Sequence, residues 1–328
     1  MRTKKEKKTE RERVEERREE VLSKGRKFKY PLQHAKYKVV IYTVVIAVLA
    51  VVLMVVAGWF SLYKAQSTSD MMYRVASVLQ LPVGEIDGEK VKYGDYLMIY
   101  RSSLKTVEQQ SGKLSDSEED QQVRADYKRT AMDRAEEYAY AGKIARERGV
   151  TVSSEEVDVS YDEHRKVGGN ERSEEAFLKI VADNFGMSKD EYKRMLYLNL
   201  LKAKVMAETD TEAGTVASQV EKLINEKEGD LSAVAGELGE KVQYEETGGL
   251  VDSKNIDGGR AAKAAQLQPG EISERFISST GDGYYYVKLI DKNGEKVNYA
   301  SIKVSFGTFD GEVQGLRDGG KVVEYIEL

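Results

Sequence analysis

One segment limits what this chain can be, because residues 39–60 form 22 consecutive uncharged and mostly apolar positions. As a helix at about 1.5 Å per residue, this run is about 33 Å long and can cross the hydrocarbon core of a bilayer. A cleaved signal peptide has a shorter apolar stretch and leaves it through small residues, whereas this run ends in Trp59 and Phe60. The sequence therefore predicts a transmembrane signal anchor at 39–60 in contact with the lipid bilayer, in preference to a buried core helix.

Charge predicts the orientation of this anchor. Residues 1–38 carry 15 Lys or Arg and 7 Asp or Glu, a net charge of +8, against −5 for the whole chain, which leaves −13 for the rest. Basic flanks stay in the cytoplasm. We therefore expect a single-pass protein of the cell membrane with a basic cytoplasmic arm at 1–38 and an extracytoplasmic part at 61–328. The acidity of that outer part argues against nucleic acid as a partner.

The arm has a mixture of charges that is more typical of a solvated, partly helical segment near anionic lipid heads than of a partner-binding tail. The chain contains no cysteine, so no disulfide holds the outer part together and no thiol is available for a lipid.

The outer part begins with a polar segment, predicted as a linker at 61–82, and continues with a helix-rich region at 83–206. Asp87-Gly88 predicts a turn between two short strands, and a helix follows from Tyr93. A long helix is predicted at 116–148, and another begins near Ser173. Two capping boxes mark the starts of further helices, Ser153 with Glu156 and Ser188 with Glu191.

Residues 207–328 have a different pattern and predict an α+β unit. Asn293-Gly294 is a hairpin signal. The expected helices lie at 216–224 and 231–238, and the expected strands at 272–277, 284–290 and 298–306.

Three blocks in the helix-rich region resemble the SurA-type chaperone module: "GEIDGEKVKYGDYLMIYR", "AMDRAEEYAYAGKIARERGVTVSSEEVDVSYDE" and "FLKIVADNFGMSKDEYKRMLYLNLLKAKV". Their order and spacing match that module at 83–206. The resemblance implies a mostly helical fold that binds unfolded or newly exported polypeptides.

The region that follows resembles the parvulin prolyl isomerase domain, which often accompanies such a module in proteins of the PrsA, PpiD and SurA type. The similarity lies in "LQPGEIS", in Gly248-Gly249 and in "TGDGYYYVKL". The implied fold class is α+β, with a single N-terminal transmembrane helix, a SurA-like helical module and a parvulin-like domain at 207–328.

This sequence departs from the parvulin pattern at the positions that form the proline pocket in that family. Counting from the Pro-Gly turn places Ile256 and Arg260 at the apolar wall, and the strand has Asp282 and Tyr285 where the family has phenylalanine and histidine. No histidine follows His164. Isomerisation needs a dry apolar seat for the proline ring, which charged residues cannot supply. We therefore predict a degenerate pocket with no catalytic residue.

The expected first strand of the parvulin fold is also missing, because "AETDTEAG" is a poor strand sequence. "YASIKVSF" alternates Ala300, Ile302, Val304 and Phe306 on one face. Our hypothesis is that this late strand takes the central place in the sheet, a permuted arrangement.

Other chemistry finds little support. The sequence has no nucleotide-binding glycine loop, no zinc motif and no cysteine pair, so we expect no cofactor and no metal. His164 lies on a polar helical stretch without a second ligand and is interpreted as a surface residue. Tyrosines at four positions are weak candidates for contact with a client chain, although each is also a plausible core residue: Tyr96, Tyr100, Tyr284 and Tyr286.

The leading hypothesis is therefore a membrane-anchored extracytoplasmic folding chaperone with an inactive isomerase pocket. Two alternatives stay open. One is an active parvulin-type isomerase with an altered pocket, and the other is an envelope scaffold that retains the fold without binding unfolded clients.

Overall fold

The computed structural model describes residues 10–29, 31–167, 170–255, 257–278 and 280–328. It has two compact units, one that ends at Ala65 and one that runs from Gln66 to Leu328. The fold is mixed α+β, with a helix-rich region at 83–206 and most of the strands in the C-terminal part, as the sequence predicts.

The helices, in chain order, are α1 Glu10–Lys29, α2 Pro31–Trp59 continued by a π-helical segment Phe60–Lys64, α3 Asp70–Val78, α4 Tyr93–Ser111, α5 Glu118–Arg148, α6 Ser154–Arg165, α7 Glu174–Phe185, α8 Lys189–Thr209, α9 Thr211–Glu226, α10 Leu231–Leu238 followed by a 3-10 turn Gly239–Lys241, α11 Arg260–Ala265 and α12 Thr308–Asp318. The strands are β1 Pro82–Ile86, β2 Glu89–Lys92, β3 Lys166–Val167, β4 Asn170–Glu171, β5 Gln243–Glu246, β6 Val251–Asp252, β7 Phe276–Ile277, β8 Gly283–Asn293, β9 Lys296–Ser305 and β10 Val322–Glu324.

The first unit consists of α1 and the apolar helix that follows it. The stretch Tyr37–Lys64 is the one helix among the described residues that is long and apolar enough to cross a membrane. Its side chains from Val39 to Val56 are exposed, so no protein core covers this apolar surface. The predicted anchor at 39–60 falls inside this helix.

Local signals place the elements of the helical module, by which we mean α3 to α8 with the hairpin β1–β2. Asp87 and Gly88 both have positive φ, which is the backbone geometry of a tight hairpin turn. The two predicted capping boxes form at the starts of α6 and α8, with the Ser153 and Ser188 side chains accepting from the third helical amide. The long helix α5 ends at Gly149 with φ of 71°.

The segment predicted as a linker at 61–82 contains a helix. Helix α3 begins after Ser69, whose side chain accepts a hydrogen bond from the Met72 amide, and Ala76 is fully buried. The sequence analysis missed it because the helix has only nine residues and an exposed apolar residue at each end, Met71 and Val78, so its apolar pattern is short.

Residues 211–306 form a second subdomain around an antiparallel sheet in the order β5-β9-β8-β7, with β6 also paired to β9. Helix α11 covers one face, where Val287, Leu289 and Tyr299 are buried. On the other face Tyr286 donates a hydrogen bond to the carbonyl oxygen of Ala217 in α9 at 2.9 Å. Strand β9 lies inside the sheet between β5 and β8, the interior position expected for "YASIKVSF".

Two details of this sheet differ from the sequence prediction. The hairpin loop is Gly294-Glu295 rather than Asn293-Gly294, because Asn293 still pairs with Lys296. The strand predicted at 272–277 is reduced to β7 and an isolated bridge from Ile272 to Lys288.

The C-terminal segment, residues 307–328, leaves the second subdomain and packs on the helical module. Strand β10 pairs with β1, so the first sheet has the order β10-β1-β2. Phe309 of α12 is fully buried, with its ring centroid 5.5 Å from that of Tyr140 in α5. The expected domain boundary at 206/207 is therefore crossed twice, and the helical module is completed by the chain's own C-terminal segment.

Ion pairs connect this segment to α5. Arg317 donates from Nε and Nη2 to Oε2 of Glu136 at 3.1 and 2.9 Å, and Arg129 pairs with Glu324 at 2.6 Å. Glu136 is only 1% exposed. Burial raises the pKa of Glu136 to about 7, although Arg317 opposes the shift.

Asp210 lies where the chain enters the second subdomain from α8 and leaves it toward α12. We call these two adjacent chain segments the neck. Its Oδ1 accepts from the Ala213 amide at 2.9 Å, and its Oδ2 accepts from the amides of Gly307 and Thr308 at 2.8 and 3.1 Å. One carboxylate thus binds the N-termini of both α9 and α12. Burial opposes ionisation of Asp210, but these hydrogen bonds outweigh it and lower its pKa.

We expect Asp210→Ala to lower the free energy of unfolding by about 1 to 4 kcal/mol, since two helix caps are lost. Asp230→Ala is the matched control, because Asp230 caps α10 alone through the Ala233 amide. The stabilising effect of Asp210 should be fully present above its unfolded pKa of about 3.9 and lost as the pH falls from there through its lower folded pKa. Urea unfolding of the full chain in detergent micelles measures both, and equal losses in the two variants would contradict the double cap.

Glu136 should give the free energy of unfolding a pH dependence opposite to the one that Asp210 gives, and Glu136→Gln should remove it. A carboxyl whose pKa is raised on folding stabilises the fold below its unfolded value and loses that effect as the pH rises toward about 7. The parent chain should therefore lose up to about 3 kcal/mol between pH 5 and pH 8 that the variant does not lose. Identical pH slopes in urea unfolding would disprove this role for Glu136.

Candidate functional site

Three of the four predicted proline-pocket residues lie in the described part of the chain, and Ile256 lies outside it. Arg260 is the first residue of α11, Asp282 precedes β8, and Tyr285 is the third residue of that strand. The structure brings these three residues together on the α11 side of the sheet.

Asp282 is the centre of a polar network that we call the Asp282 cluster: Ser278, Thr280, Asp282, Tyr285 and Lys303. The hydroxyls of Ser278 and Thr280 donate to Oδ1 of Asp282 at 2.7 and 2.6 Å. The Tyr285 hydroxyl and the Lys303 ammonium donate to Oδ2 at 3.2 and 2.5 Å. Every donor in the cluster is thus directed at a single carboxylate.

Tyr285 is covered by cations rather than by an apolar wall. The guanidinium carbon of Arg260 lies 5.5 Å from the Tyr285 ring centroid, and the Lys303 ammonium lies 5.9 Å from it. Arg260 is itself fixed, because its Nε donates to the Asp257 carbonyl oxygen at 2.8 Å and its Nη1 pairs with Glu245. Only 6% of Tyr285 is exposed, so a proline ring has no space against it in this arrangement.

The electrostatics of the cluster favour a permanent ion pair over acid–base chemistry. Burial disfavours ionisation of Asp282, but hydrogen bonds from Lys303, Thr280 and Ser278 outweigh it and hold its pKa well below the usual range. Burial and the neighbouring Asp282 charge raise the pKa of Tyr285. Neither group titrates near neutral pH, which is where a general acid or base operates.

Contact with a client chain needs an exposed side chain, but three of the four tyrosines proposed for this role are buried and the fourth is half-buried. Tyr96, Tyr100 and Tyr286 are 1%, 3% and 1% exposed and belong to the cores of the helical module and the second subdomain. Their burial leaves no surface for a client chain. Tyr284 is half-buried, with Arg275 stacked 4.9 Å from its ring centroid and its hydroxyl donating to the Ala207 carbonyl oxygen.

A cleft of about 770 Å³ lies beside the Asp282 cluster, between the helical module and the second subdomain. Helices α6 and α8 form one wall, and α11 with β7 forms the other. The apolar side chains that line it are Val159, Met195, Leu196, Leu200, Ala203, Ala262, Phe276 and Ile277.

Val159 is the most exposed large apolar residue of this cleft, at 56%. Val157 and Tyr161 on the same helix are buried, and a residue two positions away from each projects on the opposite side. The sequence analysis missed Val159 as a site residue. The signal was an isolated valine on the otherwise polar face of α6.

The rim of the cleft is mainly acidic. Glu155, Glu156 and Glu163 line it from α6, while Lys204 and Lys263 line it from α8 and α11. Lys204 pairs with Glu156, and the Lys263 ammonium lies 5.8 Å from the Phe276 ring centroid. The cleft therefore combines an apolar floor with negative charge at its edge on the α6 side.

A second cleft, of about 540 Å³, lies between α5, α8 and β2. Ion pairs occupy its sides, since Arg194 binds Asp95 through two hydrogen bonds of 3.0 and 2.8 Å and Arg146 pairs with Glu89. Small residues of α5 line it together with Leu198 and Leu201 of α8, which are buried, and no residue of the Asp282 cluster lines it. The larger cleft is the stronger candidate for a polypeptide.

Within the described residues, no group of three or more histidine, cysteine, aspartate or glutamate side chains has a geometry that could hold a metal ion. His164 lies on the wall of the larger cleft, and its Nδ1 is 2.7 Å from the Ser160 carbonyl oxygen.

We expect Asp282→Ala to lower the free energy of unfolding by about 1 to 2 kcal/mol, because it removes the acceptor of four donors from a partly exposed site. Asp291→Ala, an exposed position at the far end of β8, is the matched control. The loss should shrink as the pH falls below about 3.9 and vanish only below the folded pKa of Asp282, which lies well under the usual range. Urea unfolding at pH 7 and pH 3 tests this, with a smaller loss expected at pH 3, and a variant as stable as the control at pH 7 would refute the network's role.

The helical part of the chain matches a known protein family. A model of the SurA-like N-terminal domain matches residues 32–206, just over half of the chain, which includes the apolar helix and extends through α3 to most of α8. No curated protein and no solved structure matches the chain. The family match and the module's fold agree, and the chain belongs to the family of proteins with a SurA-like N-terminal domain.

Proposed function

We propose that this protein is a membrane-anchored, extracytoplasmic chaperone that holds unfolded or newly exported polypeptides in the cleft between α6, α8, α11 and β7. The SurA-like domain suggests a chaperone-type role. The single observation that carries the assignment to this cleft is its apolar lining on both walls, with Val159 exposed on α6 and Phe276 and Ile277 half-buried on β7.

The physical logic is that of weak and adaptable binding. Apolar side chains of a client gain by leaving water, and each buried aliphatic side chain contributes about 1.5 kcal/mol or more. The open cleft binds a short apolar segment without enclosing it, so the chain can be released. The acidic edge favours segments in which lysine or arginine flanks the apolar residues.

The strand β7 adds a backbone contribution to this proposal. It is the last strand in the order β5-β9-β8-β7, and its two residues both line the cleft. An extended client segment along this edge can make main-chain hydrogen bonds that do not depend on its sequence.

We expect Val159→Glu to weaken binding of an unfolded client about tenfold, since it replaces an apolar contact with a carboxylate that resists burial. Val323→Glu is the matched control, because Val323 is 53% exposed but lies on β10 outside the cleft. Fluorescence anisotropy of a labelled, reduced and alkylated protein titrated with the full chain in detergent measures the affinity.

Two results would count against the chaperone proposal. The first is that the parent chain neither binds this client nor suppresses its aggregation at several-fold excess, which favours the scaffold alternative. The second is that Val159→Glu and Val323→Glu weaken binding equally, which removes the cleft from the proposal.

The proposal includes an inactive isomerase pocket, because Arg260, Asp282 and Lys303 occupy the place of an apolar seat. We expect the full chain to leave the rate of proline isomerisation in a model peptide unchanged, since the uncatalysed barrier of about 18 to 20 kcal/mol is not lowered. A protease-coupled isomerisation assay measures this. An accelerated rate that falls in Tyr285→Phe would establish the alternative of an active isomerase with an altered pocket.

A further inference from the structure

Helix α3 has an apolar surface that is not buried in the core and does not line either cleft. Met71, Val78 and Leu79, the last being the residue that caps the helix, are 70%, 80% and 63% exposed. Positions separated by seven and eight residues lie on one side of a helix, so these side chains form a single outward face. We infer that this face lies in the headgroup region of the bilayer crossed by the apolar helix, an inference that rests on the membrane anchoring in the proposed function.

The opposite side of α3 is fixed to the helical module, so the apolar face cannot turn inward. A Cβ on Gly94 of α4 would come within 3.1 Å of the Ser77 Cα, which shows how closely the two helices approach. The guanidinium of Arg101 lies 4.8 Å from the Tyr73 ring centroid and also pairs with Asp70. The outward direction of the face is thus set by packing.

The covalent connection keeps α3 close to the membrane. The apolar helix ends at Lys64, and α3 begins six residues later at Asp70. At about 3.5 Å per residue the chain between them can span at most about 20 Å. Gln66 shortens this tether, because its Oε1 accepts from Lys128 at 2.5 Å and its amide group donates to the Glu327 carbonyl oxygen.

The composition of the face suits a lipid headgroup region better than a client or a second copy. It is a convex ridge on a nine-residue helix, and neither of the two clefts described above includes any of its residues. Arg74 is exposed on the same helix, and its one acidic residue, Asp70, is paired with Arg101. Apolar side chains flanked by a basic residue are typical of helices that lie at a membrane surface.

The absence of cysteine makes a direct test possible, because single cysteines can be introduced and labelled without background. Three variants of the full chain, Val45→Cys in the apolar helix, Val78→Cys on α3 and Val159→Cys in the cleft, are labelled with an environment-sensitive dye and placed in vesicles. The vesicles contain lipids with nitroxide groups at the headgroup or in the acyl chain. We expect headgroup nitroxides to remove at least half of the fluorescence at position 78 and to leave position 159 unchanged, while acyl-chain nitroxides quench position 45.

The outcomes separate this inference from the function on which it rests. Quenching at position 45 with positions 78 and 159 equally unquenched overturns the inference and leaves the membrane anchor intact. No quenching at position 45 shows that the anchor itself fails. Efficient cross-linking between position 78 of two copies, without lipid quenching there, overturns the inference in favour of self-association.

A binding measurement separates lipid from client as the occupant of α3. Val78→Glu should leave the affinity for the unfolded client unchanged in detergent, whereas Val159→Glu weakens it about tenfold. If Val78→Glu weakens client binding as strongly as Val159→Glu does, α3 is part of the client surface and the inference is wrong.

Discussion

The arrangement of the unit Gln66–Leu328 depends on the carboxylate of Asp210. It lies where the chain passes from α8 into the second subdomain and where the chain returns from β9 to α12, and it accepts backbone amides from both sides. A buried carboxylate is tolerated only when such donors replace its water. Because both chain segments of the neck are bound to the Asp210 carboxylate, the second subdomain is attached to the helical module at two chain crossings rather than at one flexible linker. Two attachments restrict rotation about the neck and keep α11 and β7 opposite α6 and α8, which is the condition for a cleft between them.

The C-terminal segment is fixed to the helical module by contacts of its own. Strand β10 extends the sheet of β1 and β2, Phe309 fills a space beside Tyr140, and Arg317 binds the buried Glu136. These contacts mean that the helical module is incomplete without the end of the chain. The family match at residues 32–206 covers the part of the module that is continuous in sequence, and the structure supplies the part that is not.

Much of the fold was predictable from local signals, and the remainder depends on contacts between distant segments. Ser153 with Glu156, Ser188 with Glu191 and the Asp87-Gly88 turn act within a few residues, so the sequence places α6, α8 and the first hairpin correctly. The pairing of β10 with β1 has no comparable signal, because "VVE" at 322–324 can join any free edge. The same distinction applies to the site. The resemblance singled out Arg260, Asp282 and Tyr285 by their positions in the sequence, but the role of Lys303 on β9 and the position of Val159 in the cleft with β7 follow from the three-dimensional arrangement alone.

The neck at Asp210 also has an evolutionary meaning. Because residues 211–306 begin and end at the same point of the helical module, a lineage can gain, lose or exchange this subdomain while the helical module keeps its core and its closing strand. Selection on the subdomain can then act without affecting the stability of the rest of the chain. The Asp282 cluster lies entirely within residues 211–306, so its residues can change without disturbing Asp210 or the closing strand β10.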